Sequence, residues 1–199
     1  MVRSGVALLI ESMPGCELAG EASSTAEARL RLKPARADVV VFDLILGGRD
    51  GLELLGELQQ LCPTARFLVY TMQPERLYAR RALRAGAQGY LMKSANLTAM
   101  REALEALVRG NRYVSPAMAQ VLIEESLGGA RAAVDDLSDR ELQVLGLLAG
   151  GRELGEIATE LSLSVKTVGT YRERLKSKLG VETARELARE AAVLLGAKS

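Results

Sequence analysis

The chain has no histidine and no tryptophan, two cysteines, and only 4% aromatic residues across 199 positions. Without histidine there is no Ser-His-Asp triad, no His-ligated zinc and no phosphohistidine of its own, so carboxylate, hydroxyl and lysine chemistry remain. Cys16 and Cys62 have neither CxxC spacing nor metal-binding companions, which predicts buried reduced thiols and excludes a disulfide framework. No apolar run approaches the roughly 20 residues that cross a bilayer. The N-terminus lacks the basic and apolar pattern of a secretion signal. Both observations predict a cytoplasmic protein without membrane contact. Charge of one sign is also missing, with a formal net charge of +1. Bulk attraction to nucleic acid is therefore excluded, and any such binding must come from a local pattern.

With 48% hydrophobic and 26% charged residues, the chain is long enough for two small domains. From Met1 to about Gly110, short β-like runs alternate with helical patterns. Asp38 to Asp43, Phe67 to Thr71 and Gly89 to Lys93 have continuously apolar centres, as in strands covered on both faces. Helices are expected around Leu52, Leu55, Leu58 and Leu61, from Pro74 to Gly86, and along a face made by Leu97, Met100, Leu104, Leu107 and Val108. This is a βαβα pattern with a parallel sheet. Glu124 to Asp136 mix glycine, alanine and charge without an apolar period and read as a linker.

The last third reads as a helix-turn-helix. Leu154, Ile157, Ala158 and Leu161 form an apolar stripe, Ser162, Leu163 and Ser164 a turn, and a second amphipathic helix starts at Val165. That helix is expected to bury Val165, Val168, Leu175 and Leu179. It turns Thr167, Thr170 and Arg174 outward, with Lys166, Arg172, Lys176 and Lys178 flanking, a face that fits a major groove. Upstream, Ser138 is placed to cap a helix with Glu141 reaching back and Leu137 stapling onto Leu142, while Gly150 and Gly151 end it. Ser164 caps the groove-facing helix, with Leu163 placed to pack on Val168.

Three consecutive strands end in polar groups, Asp43, Thr71 and Lys93, and ligands of parallel α/β sheets bind beyond those carboxyl ends. A carboxylate, a hydroxyl and an ammonium converging there suit phosphoryl transfer: the carboxylate attacks phosphorus while cations offset charge on its oxygens. Equally open from spacing is that Asp43 merely starts the turn Leu46, Gly47, Gly48.

The stretch Asp43-Leu-Ile-Leu-Gly-Gly-Arg-Asp-Gly51, Thr71 after an apolar strand, and Gly86-Ala-Gln-Gly-Tyr-Leu-Met-Lys93 resemble the receiver domain of bacterial response regulators. Leu137-Ser-Asp-Arg-Glu-Leu142, the run Glu156, Ile157, Ala158, and Ser164-Val-Lys-Thr-Val-Gly-Thr-Tyr-Arg172 followed by Lys178-Leu-Gly180 resemble the NarL/FixJ (LuxR-type) branch. The resemblance covers nearly the whole chain. It implies a flavodoxin-like receiver over 1–123, a linker over 124–136, and an all-α four-helix DNA-binding domain over 137–199. By that likeness Asp43 is the phosphoacceptor, Thr71 and Tyr90 the switch pair, and Lys93 the lysine that contacts the phosphoryl group. The partners implied are a histidine kinase, promoter DNA and a second copy of the chain. On the recognition helix the likeness places Gly169, Thr170 and Glu173 toward base edges, and Lys166, Thr167, Tyr171, Arg172, Arg174 and Lys176 toward phosphates or groove walls. Gly169 offers no side chain, so reading falls to Thr170, Glu173 and DNA shape. Glu173 either accepts from a cytosine amino group or pairs with a neighbouring cation. A row of Arg76, Arg80 and Arg84 beside Arg81 is either a solvated face or part of a dimer surface. Likewise, Ala184, Leu187, Ala191 and Leu194 or Leu195 serve their own domain or a contact between DNA-binding domains.

The chain also departs from the pattern. Such receivers open with a strand ending in an acidic pair that holds Mg²⁺, whereas Met1-Val-Arg-Ser-Gly-Val-Ala-Leu-Leu-Ile10 resembles the first helix, and Glu11 and Glu17 come too late to replace the pair. Mg²⁺ is left with Asp43 and the Ile45 carbonyl, an incomplete site that predicts weak binding. The second strand of the pattern falls at Glu17 to Ala22, and without the first it must pair directly with the strand at Asp38 to Asp43, or the domain is damaged. Either the natural reading frame begins upstream, the reading preferred here, or the receiver is degenerate and works without phosphate. The expected function is a two-component transcription regulator, not an enzyme, with a phosphorylation-independent regulator as the alternative. A dehalogenase-type phosphatase would need a second Asp where Ile45 stands, and a purely protein-binding module would not need the outward hydroxyls and cations.

Overall fold

The computed structural model describes residues 2–32, 37–46, 49–126 and 136–194. The turn glycines Gly47 and Gly48, residues 127–135 of the expected linker, and Leu195 lie outside them. Two compact units are present, Met1–Glu75 with Ala79–Ala119, and Arg76–Tyr78 with Gln120–Ser199.

The first unit is α/β. Its elements are α1 (Val2–Glu11), α2 (Thr25–Leu32), β1 (Val39–Phe42), β2 (Ile45–Leu46), β3 (Arg49–Asp50), α3 (Gly51–Leu61), β4 (Arg66–Thr71), α4 (Glu75–Arg84), β5 (Gly89–Met92) and α5 (Leu97–Val108), followed by α6 (Pro116–Ser126), which runs into the second unit. The sheet is parallel in the order β1-β4-β5, with Val40 opposite Phe67 and Val69 opposite Tyr90. β2 and β3 form a separate two-residue antiparallel ladder. Leu9 and Met13 meet Leu68, Leu91, Met100, Ala103, Leu104 and Leu107 in one core cluster that joins the N-terminal segment, the sheet and α5. Each leucine or methionine of this cluster removed from water contributes roughly 1.5–3 kcal/mol, which holds α5 to the sheet.

Three of the expected strands, at Asp38 to Asp43, Phe67 to Thr71 and Gly89 to Lys93, and the three expected helices form at the positions read from the pattern, and the stretch that resembles a first helix yields α1 over Val2–Glu11. Other expectations fail: Cys16 is half-buried although Cys62 is buried as expected, and the first residues of the expected linker, Glu124 to Ser126, end α6. Glu17 to Ala22 is not a strand, and among the described residues β1 pairs only with β4. That segment contains one large apolar residue, Leu18, and a strand without a ladder leaves its backbone groups to water. On α5, Leu97 and Val108 are exposed, because the helix ends overhang the sheet that covers Met100 to Leu107. α2 and α6 are additional helices. The apolar residues of α6 run nearly all round it, so no single face stands out in the sequence.

In the second unit, α7 (Asp139–Ala149), α8 (Leu154–Glu160), α9 (Val165–Leu179) and α10 (Ala184–Leu194) follow one another. α9 packs on α7 and α8, and α10 packs on α7 and α9. Leu142, Val144, Leu145, Ile157, Val168, Leu175 and Leu187 form the fully buried centre. Ser138 and Glu141 form the expected capping box, and Gly150 is the C-cap of α7. Between α8 and α9 the chain turns at Ser162, whose φ of 55° is the one positive value at a non-glycine residue among those described. Ser164 then accepts from Thr167 N–H and starts α9. α9 ends at Gly180, where a φ of 67° suits a residue without a side chain. Among the described residues no helix is long and apolar enough to cross a membrane.

Candidate functional site

The parallel ladder brings the carboxyl ends of β1, β4 and β5 together, and the expected residues meet there. Lys93 Nζ donates to Asp43 Oδ2 at 2.6 Å, with both side chains about four-fifths buried. The other carboxylate oxygen, Oδ1, accepts from Ile45 N–H at 3.1 Å, which folds the chain sharply after β1. Lys93 also lies 6.0 Å from the centroid of the Tyr70 ring. Backbone bonding continues one residue past the strands, with Lys93 N–H donating to the Thr71 carbonyl at 2.8 Å, so the position of the ammonium is fixed by the sheet.

Thr71 is buried at the end of β4, and its Oγ1 accepts from Gln73 N–H at 3.3 Å. Tyr90 is fully buried, and its hydroxyl donates to the Gln73 carbonyl at 2.9 Å. The backbone of one residue, Gln73, therefore bonds both members of the expected switch pair, through its N–H to Thr71 and its carbonyl to Tyr90. Nothing in the sequence marks Gln73, because it acts through backbone atoms. Glu75 is a second residue missed by the sequence reading: its Oε1 accepts from Ser115 N–H at 2.8 Å across 40 positions.

A Mg²⁺ ion needs about six oxygen ligands in a tight octahedron. Here one carboxylate is engaged on both oxygens, one of them by an ammonium that would repel a dication, and the Ile45 carbonyl is the remaining expected ligand. Among the described residues no group of three or more Cys, Asp or Glu side chains is gathered. The described residues do not by themselves make a Mg²⁺ site.

On α9, the expected residues form an open surface. Lys166, Thr170, Glu173 and Arg174 are exposed, and Thr167, Gly169, Tyr171, Arg172 and Lys176 half-buried, while Val168 and Leu175 point into the core. Of the four residues expected to be buried, Val165 is 53% exposed and Leu179 half-buried, because the first and last turns of α9 extend beyond the helices that cover Val168 and Leu175. Thr170 Oγ1 donates to the Lys166 carbonyl, and Thr167 Oγ1 lies 2.7 Å from Ser164 Oγ, so both hydroxyls are held in place. A Cβ on Gly169 would meet nothing within 4 Å, so packing does not require the glycine. Of the two readings of Glu173, the ion pair is present: Oε2 accepts from Lys176 Nζ at 2.8 Å and Oε1 from Arg172 Nε at 3.3 Å. The Lys176 hydrogen bond is the main reason its carboxyl is held below the usual range. Lys178, on the same helix, reaches away from this surface to the buried Glu141 at 2.7 Å and to the Asp136 carbonyl at 3.0 Å.

Residues 1–105 match the response regulator receiver domain, and residues 135–191 the bacterial regulatory proteins of the luxR family. The chain is 34% identical over 188 residues to the response regulator GacA of Pseudomonas protegens, spanning 94% of this chain and 88% of that protein. It is 30% identical over 183 residues to the response regulator UvrY of Escherichia coli, spanning 91% and 84%. RcsB from Salmonella enterica serovar Typhimurium, in a structure bound to promoter rprA in the presence of the phosphomimetic BeF3-, aligns with a TM-score of 0.62 at 26% identity, covering 95% of this chain and 92% of that one. Receiver domains typically bind Mg²⁺, and their family comprises regulators rather than enzymes. The chain belongs to the two-component response regulators that join a receiver domain to a LuxR-type helix-turn-helix domain.

Proposed function

We propose that this response regulator reads promoter DNA through α9, with residues 137–199 as the reading domain, 124–136 as linker and 1–123 as the receiver that controls it. The observation that carries this reading is the outward face of α9, where Lys166, Thr170 and Arg174 are exposed on a helix whose opposite side buries Val168 and Leu175 completely. Lys166, Thr167, Tyr171, Arg172, Arg174 and Lys176 position the duplex through phosphates, and Thr170 and Glu173 face base edges beside the gap left by Gly169. To reach a base, Glu173 has to release Lys176 and Arg172, which are then free for phosphate. Replacing Lys166, Arg172 and Arg174 together by alanine is expected to weaken binding to all duplex sequences and to flatten its salt dependence by about three phosphate equivalents. Binding and salt slope equal to wild type would end the assignment.

Asp43 is the phosphoacceptor in this reading. A carboxylate oxygen of Asp43 bonds to phosphorus as the P–N bond of a histidine kinase's phosphohistidine breaks, and the electron pair leaves with the imidazole, which takes a proton. Lys93 then moves from carboxylate to phosphoryl oxygens, and Thr71 donates to one of them. The closed Asp43–Lys93 pair and the single carboxylate favour a second reading, in which the ammonium already neutralises Asp43 and the receiver responds to another input. Incubation with a small acyl phosphate and Mg²⁺ separates them: label on the chain but not on its Asp43→Asn variant supports phosphorylation, and no label supports the second reading.

A further inference from the structure

In a capping box, the side chain at the N-cap accepts from the N3 amide, and an acidic or amide side chain at N3 returns the favour to the N-cap amide. In this chain several helices close that exchange locally. Ser138 and Glu141 do so at α7, and Glu156 and Glu186 accept from the N-cap amides of Glu153 and Thr183 at α8 and α10. α6 cannot. Its N-cap is Ser115, whose Oγ accepts from Met118 N–H at 3.1 Å, but N3 is Met118 itself, apolar and buried. The amide of Ser115 donates instead to Glu75, at the start of α4.

Glu75 follows directly on the segment that carries Thr71 and Gln73. Its partner segment is equally tied to the sheet: Tyr90 N–H donates to the Tyr113 carbonyl at 2.9 Å, and Tyr113 N–H to the Gln88 carbonyl at 3.0 Å. Burial, with the nearby Glu102 and Glu75 carboxylates, raises the Tyr113 hydroxyl above its usual range, which agrees with Glu75 lying close to this segment. Tyr90 therefore bonds through its hydroxyl to the loop before Glu75 and through its backbone to the segment before Ser115.

We propose that Glu75 is a positioning residue that completes the cap of α6 from outside the helix, so that a movement of the Thr71–Glu75 loop loosens or tightens the start of the helix leading to the DNA-binding domain. This inference rests on the regulatory reading above and supplies its output step. A loop that shifts when Thr71 turns toward Asp43 draws the Glu75 carboxylate with it, and the Ser115 amide loses or keeps its acceptor.

The test compares Glu75→Gln, which keeps an acceptor oxygen, with Glu75→Met, which has similar length and none, by hydrogen exchange of the full chain. Peptides spanning 115–119 are expected to exchange about fivefold faster in the Met variant than in the Gln variant, the usual scale for a lost cap, with equal rates in 66–71 and 88–92. Equal rates at 115–119 would overturn the proposal. Tyr90→Phe, which releases Gln73, is expected to speed exchange at 115–119 in the wild-type background and to add nothing in the Glu75→Met background. An additive effect, or none in either, would reduce Glu75 to a static contact and overturn the coupling. The measurement needs neither phosphate nor DNA, so failure of Asp43 to take label, or of α9 to bind a duplex, is scored separately.

Discussion

Glu141 is a carboxylate with 2% of its surface exposed, yet it is well satisfied. Burial raises its pKa, but the hydrogen bonds from Lys178 and from the Ser138 amide and hydroxyl outweigh it, so the net shift is downward. A lowered folded value means that the stabilisation is complete above the unfolded pKa, near 4.3, and is lost as pH falls through the folded value. Glu141→Gln is therefore expected to cost the C-terminal unit about 1–2 kcal/mol at pH 7, since Lys178 is partly solvated, and to flatten its acid limb. Urea titrations at pH 7 and pH 3 check both, with an unchanged pH dependence counting against the pair. The Ser138–Glu141 exchange was legible in the sequence because its spacing is local. Lys178, 37 positions away, was not, because no short pattern records which cation a fold brings to a buried carboxylate. For the same reason Asp43, Thr71 and Lys93 could be gathered in advance only through the rule for parallel sheets, whereas the choice for Glu173 between base and ion pair needed its neighbours' positions.

Elements, unlike single contacts, depend on how strands and helices meet at their ends. Gly51, the first residue of α3, is buried, and a Cβ there would lie 2.3 Å from Leu44 Cα and 2.5 Å from the Leu44 carbonyl oxygen. Backbone cannot step aside as a side-chain tip can, so Gly51→Ala is expected to destabilise the receiver by about 2–3 kcal/mol or more, read as a lower calorimetric transition. A transition at the wild-type temperature would show that the corner between Leu44 and α3 is not as tight as described. The strands β1, β4 and β5 were legible from unbroken apolar centres. The degree of cover was not: β1 reads like an interior strand, but all four of its residues are only half-buried and β4 is its one strand partner among the described residues. Local composition sets the tendency to extend, while neighbours decide burial. α6 escaped notice for a related reason, because a helix that is apolar nearly all round lacks the periodicity by which amphipathic helices are found.

Across the molecule, charge is arranged rather than abundant. α9 carries five lysines and arginines against one glutamate, whereas the rest of residues 137–199 has five cations against eight carboxylates. The excess of positive charge thus lies on α9 while the remainder of the domain sums to a negative charge, so the field favours the approach that brings α9 forward. One domain of this kind makes few contacts, and useful affinity implies two copies. DNA with two half-sites about one helical turn apart, roughly 10 base pairs, is expected to bind far more tightly than DNA with half that spacing; equal affinity in a titration would argue for single domains acting alone. The grip of Lys178 on the Asp136 carbonyl adds a practical corollary for anyone dividing the protein. A fragment starting at Leu137 sheds that oxygen and leaves the lysine with one partner fewer. Starting a residue or two earlier keeps the mooring, so two excised fragments of nearly equal length should differ in how firmly the far end of α9 is anchored.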